Sequence, residues 1–126
     1  MIDALVDTNI MISMVKGENK FIECASQFSS LAICTLTLME LFAGAHDPEE
    51  GLTIFQILES CEIVPLDSNI ALAGAKMMRE QKQKGTRSPG FADTVIACTA
   101  LKLGVPLVTN NPKDFEAFEG LKIIVP

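Results

Sequence analysis

Tryptophan and tyrosine are absent from this sequence, and histidine occurs once. A single histidine, His46, excludes histidine-rich zinc centres and two-histidine catalysis. Without Trp or Tyr, base stacking is not expected to dominate any recognition of nucleic acid. The four cysteines, Cys24, Cys34, Cys61 and Cys98, stand singly in apolar segments with no CxxC pair. That is the pattern of free thiols in a reducing compartment, so a cytoplasmic location is expected. No charge-free apolar run reaches the roughly 18 residues of a membrane span. Met1–Val6 lacks a basic segment and runs straight into Asp7, so no signal peptide is expected. The phosphate-binding loops GxGxxG and GxxxxGK[ST] are missing, as is the GxSxG nucleophile elbow.

What is present fits one α/β domain over residues 1–126, with 48% apolar residues to fill its core. Net charge is −6, which argues against gripping nucleic acid by bulk charge alone. The charge is unevenly spread: residues 1–75 carry 11 acids and two bases, residues 76–126 five acids and eight bases. Lys76, Arg79, Lys82, Lys84 and Arg87 fall within twelve residues, opposed only by Glu80. Two readings of this cluster stay open: the solvated face of a helix, or a local phosphate-contacting patch.

Short Val/Ile/Leu-rich runs read as strands at Ile2–Val6, Leu31–Cys34, Glu62–Pro65, Val105–Val108 and Lys122–Val125. Helical patterns lie between them. Asp47-Pro48-Glu49-Glu50 reads as an N-cap, a proline at N1 and an acidic first turn. Asp67 caps a further helix ending near Gly85. Ser88-Pro89 opens another that stops at Gly104. Such alternation predicts a mainly parallel sheet with helices against it. In that architecture, sites form beyond the carboxyl ends of the strands.

Four acids fall where that rule puts a site: Asp7 after the first strand, Glu40 in the helix after the second, Asp93 early in the helix before the fourth, and Asp114 after the fourth. Each also has a purely structural reading. Asp7 or Thr8 can cap a helix, Thr37-x-x-Glu40 fits a capping box, Asp93 suits a helix dipole, and Asn111-Pro112-Lys113-Asp114 is an acceptable helix start. Glu40 and Asp93 are set among apolar neighbours, where a carboxylate is costly unless paired or bound to a cation. Carboxylates converging on one cleft repel each other, and a hard divalent ion such as Mg²⁺ or Mn²⁺ relieves that. Such an ion activates water and stabilises charge at a phosphoryl centre.

Four motifs then occur in order: Leu5-Val6-Asp7-Thr8-Asn9, Thr35-Leu36-Thr37-Leu38-Met39-Glu40-Leu41, Ala92-Asp93-Thr94-Val95-Ile96-Ala97 and Leu107-Val108-Thr109-Asn110-Asn111. Together they make the chain resemble a PIN domain, most of all the single-domain VapC-type toxin ribonucleases, over nearly its whole length. The resemblance implies an α/β/α sandwich with a sheet of about five strands and a Mg²⁺- or Mn²⁺-dependent endoribonuclease. It carries the family's acidic triad onto Asp7, Glu40 and Asp93, with Asp7 and Asp93 on the metal and Glu40 on the metal or the attacking water. The family's fourth position falls on Asn111, where many members have Asp, so Asp114 is the alternative source of that charge. Thr109 matches the family's hydroxyl residue. The resemblance also implies a homodimer and an antitoxin partner. Lys82, Lys84 and Arg87 become candidates for holding RNA.

Two rivals are a phospho-accepting receiver module and a PIN fold that binds a partner without catalysis. The receiver would want a lysine after a late strand, where this chain has Thr109, and the intact acidic set argues against the silent fold.

Overall fold

The computed structural model describes residues 1–85 and 89–126. Arg87, and Ser88 as a helix opener, lie outside the described residues. Five strands form one parallel sheet: β1 (Ala4–Val6), β2 (Leu31–Cys34), β3 (Cys61–Val64), β4 (Leu107–Val108) and β5 (Ile123–Ile124), in the spatial order β3-β2-β1-β4-β5. All five stand within a residue or two of where the sequence puts them. Asp3 falls just outside β1; its carboxylate accepts the N–H groups of Ser29 and Ser30, both at 3.0 Å, and so fixes the turn into β2.

The connections follow from handedness. Passing from β1 to β2 to β3, the chain moves steadily to one side, and right-handed crossovers place every connecting helix on one face. These are α1 (Thr8–Val15), α2 (Asn19–Ser26), α3 (Thr35–Ala43) and α4 (Pro48–Leu58). The chain then returns across the sheet to β4, which puts α5 (Ser68–Gln83) and α6 (Phe91–Leu103) on the other face. A short 3-10 helix, Pro112–Phe115, follows β4 on that same side.

The strand period of two feeds both layers. Ala4, Val6, Leu31, Ile33 and Val108 pack with Ile10, Met11, Leu41, Ile54 and Leu58 on the α1–α4 side. Leu5, Ala32, Cys34 and Leu107 pack with Ile96, Ala97, Ala100, Phe115 and Phe118 on the other. The result is the expected three-layer α/β/α sandwich. It removes the receiver reading: that fold orders its strands 2-1-3-4-5, whereas here β1 is central.

The helix ends carry the expected signals with three exceptions. Asp47 and Asp67 accept the N–H of Glu50 (2.8 Å) and of Ile70 (2.9 Å). Gly104 closes α6 at φ 69°, a left-handed cap that any side chain would strain. However, α6 starts at Phe91 with Gly90 as its N-cap, later than Ser88-Pro89 suggested. The Thr37-x-x-Glu40 capping box does not form, because α3 already begins at Thr35 and Thr37 lies inside it. Asp7 occupies the N-cap position of α1 without a side-chain cap bond; its carboxylate is engaged elsewhere.

Candidate active site at the crossover point

Connections leave β1 and β4 on opposite faces, so a crevice opens beyond their carboxyl ends, where α/β sheets place ligands. Val6 pairs with Val108 in register, and the ladder continues as the Asp7 N–H donates to the Val108 carbonyl at 3.0 Å. The next residues, Asp7 and Thr109, are thereby set side by side. The Thr109 hydroxyl donates to Asp7 Oδ2 at 2.8 Å and accepts the Asn111 N–H at 3.0 Å.

Asp7 is only 5% exposed. Burial pushes its carboxyl above the usual range, the Thr109 hydroxyl and the Thr8 N–H pull it back, and the charges of Glu40 and Asp114 push it up again. Asp93 lies in the first turn of α6. Its carboxyl is also raised, first by burial and then by the charges of Asp114, Asp7 and Glu40. The sheet ends thus gather four carboxylates into one electrostatic neighbourhood.

Glu40 is exposed rather than buried, so its apolar sequence neighbours did not imply an apolar environment. Met39 beside it is also exposed, while Leu41 turns into the core. The costly carboxylate is instead Asp7, for which a capping role had looked adequate. Glu40 is held by the Thr8 hydroxyl, which donates to Oε1 at 2.9 Å. Thr8 also lies 2.9 Å from the Thr37 hydroxyl, and Thr37 3.5 Å from Cys34 Sγ. This buried hydroxyl network was missed in the sequence, although both threonines lie in the motifs that drew attention to the acids.

Asn111 and Asp114 separate. The Asn111 side-chain amide donates to Asn110 Oδ1 at 3.2 Å, and its backbone supports Thr109. Asp114, on the 3-10 helix, is the one whose charge reaches both Asp7 and Asp93. Lys82 and Lys84 are exposed at the end of α5. That end is tied to the chain beyond the 3-10 helix by Gln81 Nε2, which donates to the Ala117 carbonyl at 3.1 Å.

Among the described residues, no three His, Cys, Asp or Glu side chains are drawn close enough to enclose an ion unaided. The donor set nevertheless suits a hard cation. It is all oxygen, the neighbouring negative charges raise the carboxyls of Asp7 and Asp93, and Mg²⁺ commonly keeps several waters while using one or two carboxylates.

A family model for the PIN domain matches residues 4–121. The chain belongs to the PIN-domain family. Among its relatives, ribonuclease VapC1 of Methanocaldococcus jannaschii is 36% identical, over 94% of this chain and 85% of that protein. The tRNA(fMet)-specific endonuclease VapC of Salmonella typhimurium is 30% identical over 98% and 97%. Among solved structures, VapBC2 from Rickettsia felis bound to promoter DNA contains a chain that superposes with a TM-score of 0.87. That chain has 25% identity, covering 99% of this PIN domain and 98% of its own length. DNA-bound VapBC from Salmonella typhimurium gives 0.84 at 30% identity, over 99% and 98%. The PIN sandwich, its parallel sheet and its VapC-type sequence thus agree.

Proposed function

We propose that this PIN domain is a Mg²⁺- or Mn²⁺-dependent endoribonuclease and the toxin of a toxin–antitoxin pair. The observation that carries the reading is the convergence of Asp7, Glu40, Asp93 and Asp114 at the β1/β4 crevice. The relatives named as ribonucleases and the similarity to chains of toxin–antitoxin complexes support it. In this reading Asp7 and Asp93 hold the ion, and Glu40 holds it or orients the attacking water. The bound ion supplies water activation and stabilisation of charge on the scissile phosphate. Thr109 keeps the Asp7 carboxylate aimed, and the metallated cleft admits a phosphate that four bare carboxylates would repel. RNA cleavage by the purified chain should require Mg²⁺ or Mn²⁺ and stop with a chelator. Cleavage unaffected by chelator overturns the reading.

Asp114 supplies the fourth negative charge, since the Asn111 side chain is turned to Asn110. Asp114→Asn should therefore weaken Mn²⁺ binding in calorimetric titration. Asn111→Ala should leave that affinity within about twofold, because its backbone N–H to Thr109 survives; the reverse pattern would return the role to Asn111.

Lys82 and Lys84, exposed at the end of α5, hold RNA together with Arg87. Changing all three to Ala should raise KM and flatten its salt dependence while sparing kcat. An unchanged salt slope would make them a solvated helix face.

The partner is an antitoxin segment laid as an amphipathic helix in the groove between α1, α3 and α4. Ile12, Val15, Leu41 and Ile54 line that groove and Glu40 stands along it, so a basic side chain on the segment could reach the acids. Met39 on α3 and Leu52 and Phe55 on α4 are exposed apolar residues on one face that support a homodimer. Light scattering at micromolar concentration should report a dimer; a monomer would remove that claim and leave the metal site standing.

A further inference from the structure

Resting on the reading of Glu40 as a working carboxylate, we infer that Thr37 and Thr8 are positioning residues. They form a one-way hydrogen-bond relay from the Cys34 thiol that fixes Glu40 by one oxygen and leaves the other for the cleft.

The direction follows from counting protons. A carboxylate can only accept, so the bond between Thr8 and Glu40 Oε1 uses the one proton of the Thr8 hydroxyl. Thr8 then has none to offer Thr37, and the 2.9 Å contact between them must be Thr37 donating to Thr8. Thr37 in turn has spent its proton, so its 3.5 Å contact with Cys34 Sγ is the thiol donating to the hydroxyl. Each link polarises the next toward Glu40.

The relay is rooted in the rigid part of the fold. Cys34 is the last residue of β2 and Thr37 lies inside α3, both buried. Thr8 is buried at the start of α1. Glu40 stands one turn beyond Thr37 on α3 but is exposed. An exposed glutamate left to itself samples many rotamers and loses that freedom on engaging a ligand. With Oε1 held by Thr8, Glu40 is pre-set and keeps Oε2 as its oxygen without that restraint. Thr109 does the same for Asp7, holding Oδ2. Two threonines at the ends of neighbouring strands thus each hold one oxygen of a proposed ligand.

The test is Mn²⁺ affinity by calorimetry together with steady-state RNA cleavage for Thr8→Val, Thr8→Ser, Thr37→Val and the double valine variant, each checked for cooperative unfolding. Thr8→Val should weaken Mn²⁺ by ~10- to 100-fold, the usual effect of removing a group that orients a ligand, and lower kcat with little change in KM. Thr8→Ser keeps the hydroxyl and should recover most of both. Because Thr37 acts through Thr8, the double variant should be no worse than Thr8→Val alone. Additive losses, or Mn²⁺ affinity unchanged in Thr8→Val, would overturn the relay. If Thr8→Val fails to fold, Thr37→Val carries the test: it should weaken Mn²⁺ while Thr8→Ser stays near wild type, and wild-type Mn²⁺ affinity in Thr37→Val overturns the relay too. A wild-type chain that neither binds Mn²⁺ nor cleaves RNA would overturn the reading of the site itself, a different and separately visible failure.

Discussion

Asp7→Asn is expected to reduce metal-dependent RNA cleavage by ~10²- to 10³-fold, equivalent to the several kcal/mol that a cation contributes at a phosphoryl centre. The same substitution should stabilise the metal-free protein. Asp7 is buried among like charges and its folded carboxyl lies above the ordinary value of 3.8, so folding works against its ionised form. Below the unfolded value the group is protonated in both states and costs nothing. As pH rises from the unfolded value towards the folded one, the native state holds on to a proton that the unfolded state has released, and stability falls. Above the folded value the full penalty remains. Asp93 acts in the same sense. Asp67 acts oppositely: the Ile70 N–H and Lys102 hold its carboxyl low, so its contribution is lost only as pH falls below the ordinary value. As pH rises above the ordinary carboxylate value of about 4, metal-free wild-type protein should therefore lose thermal stability, and Asp7→Asn should show a higher midpoint at neutral pH with a shallower slope. A lower midpoint for Asp7→Asn, with chelator present, would show that the carboxylate is a structural asset and not a strained one.

That opposition between function and stability explains which parts of the molecule were legible from the sequence. Parallel strands covered on both faces must be apolar throughout, so Leu31–Cys34 announces itself, as do β1 and β4. Caps announce themselves as well, because Asp47 and Asp67 satisfy orphan N–H groups three residues on, a strictly local bond. The acids of the crevice were visible as acids at element ends. Their environments were not, since burial is set by layers that come from distant segments. Glu40 looked buried because Leu38, Leu41 and Phe42 flank it, yet helical winding turns it outward. Asp7 looked like a cap because it precedes a helix, yet Thr109, just past β4 and a hundred residues later, supplies the hydroxyl that claims it. The Thr8–Thr37 contact spans 29 residues and has no local signature. That the charge of Asp114, on the 3-10 helix begun at Pro112, is felt at Asp7 and Asp93 likewise needed the fold.

Phenylalanine makes the same point in energetic terms and gives the largest expected loss of stability. The chain has seven, identical as letters. Phe91 is 78% exposed, while Phe115 is 1% exposed and packs beneath the sheet with Phe118, ring centroids 6.1 Å apart. Phe115 is the last residue of the 3-10 helix that carries Asp114, so its ring anchors that helix to the α6 layer alongside Ile96, Ala97 and Leu107. Phe115→Ala removes the transfer energy of a whole aromatic ring and leaves a cavity in a layer closed by α6. Together these cost about 3–5 kcal/mol, a large share of the about 5–15 kcal/mol that holds a domain together. Phe91→Ala, by contrast, should change stability by no more than about 0.5 kcal/mol. Urea denaturation reads both as shifts in midpoint at constant slope. Phe115→Leu, which keeps most of the volume, should fall between them. In Phe115→Ala protein that still folds, Mn²⁺ affinity should also drop, because the 3-10 helix that carries the charge of Asp114 has lost its anchor. A large loss of stability with Mn²⁺ affinity intact would show that the ring holds the core without holding the site, and would take Asp114 out of the proposed metal set.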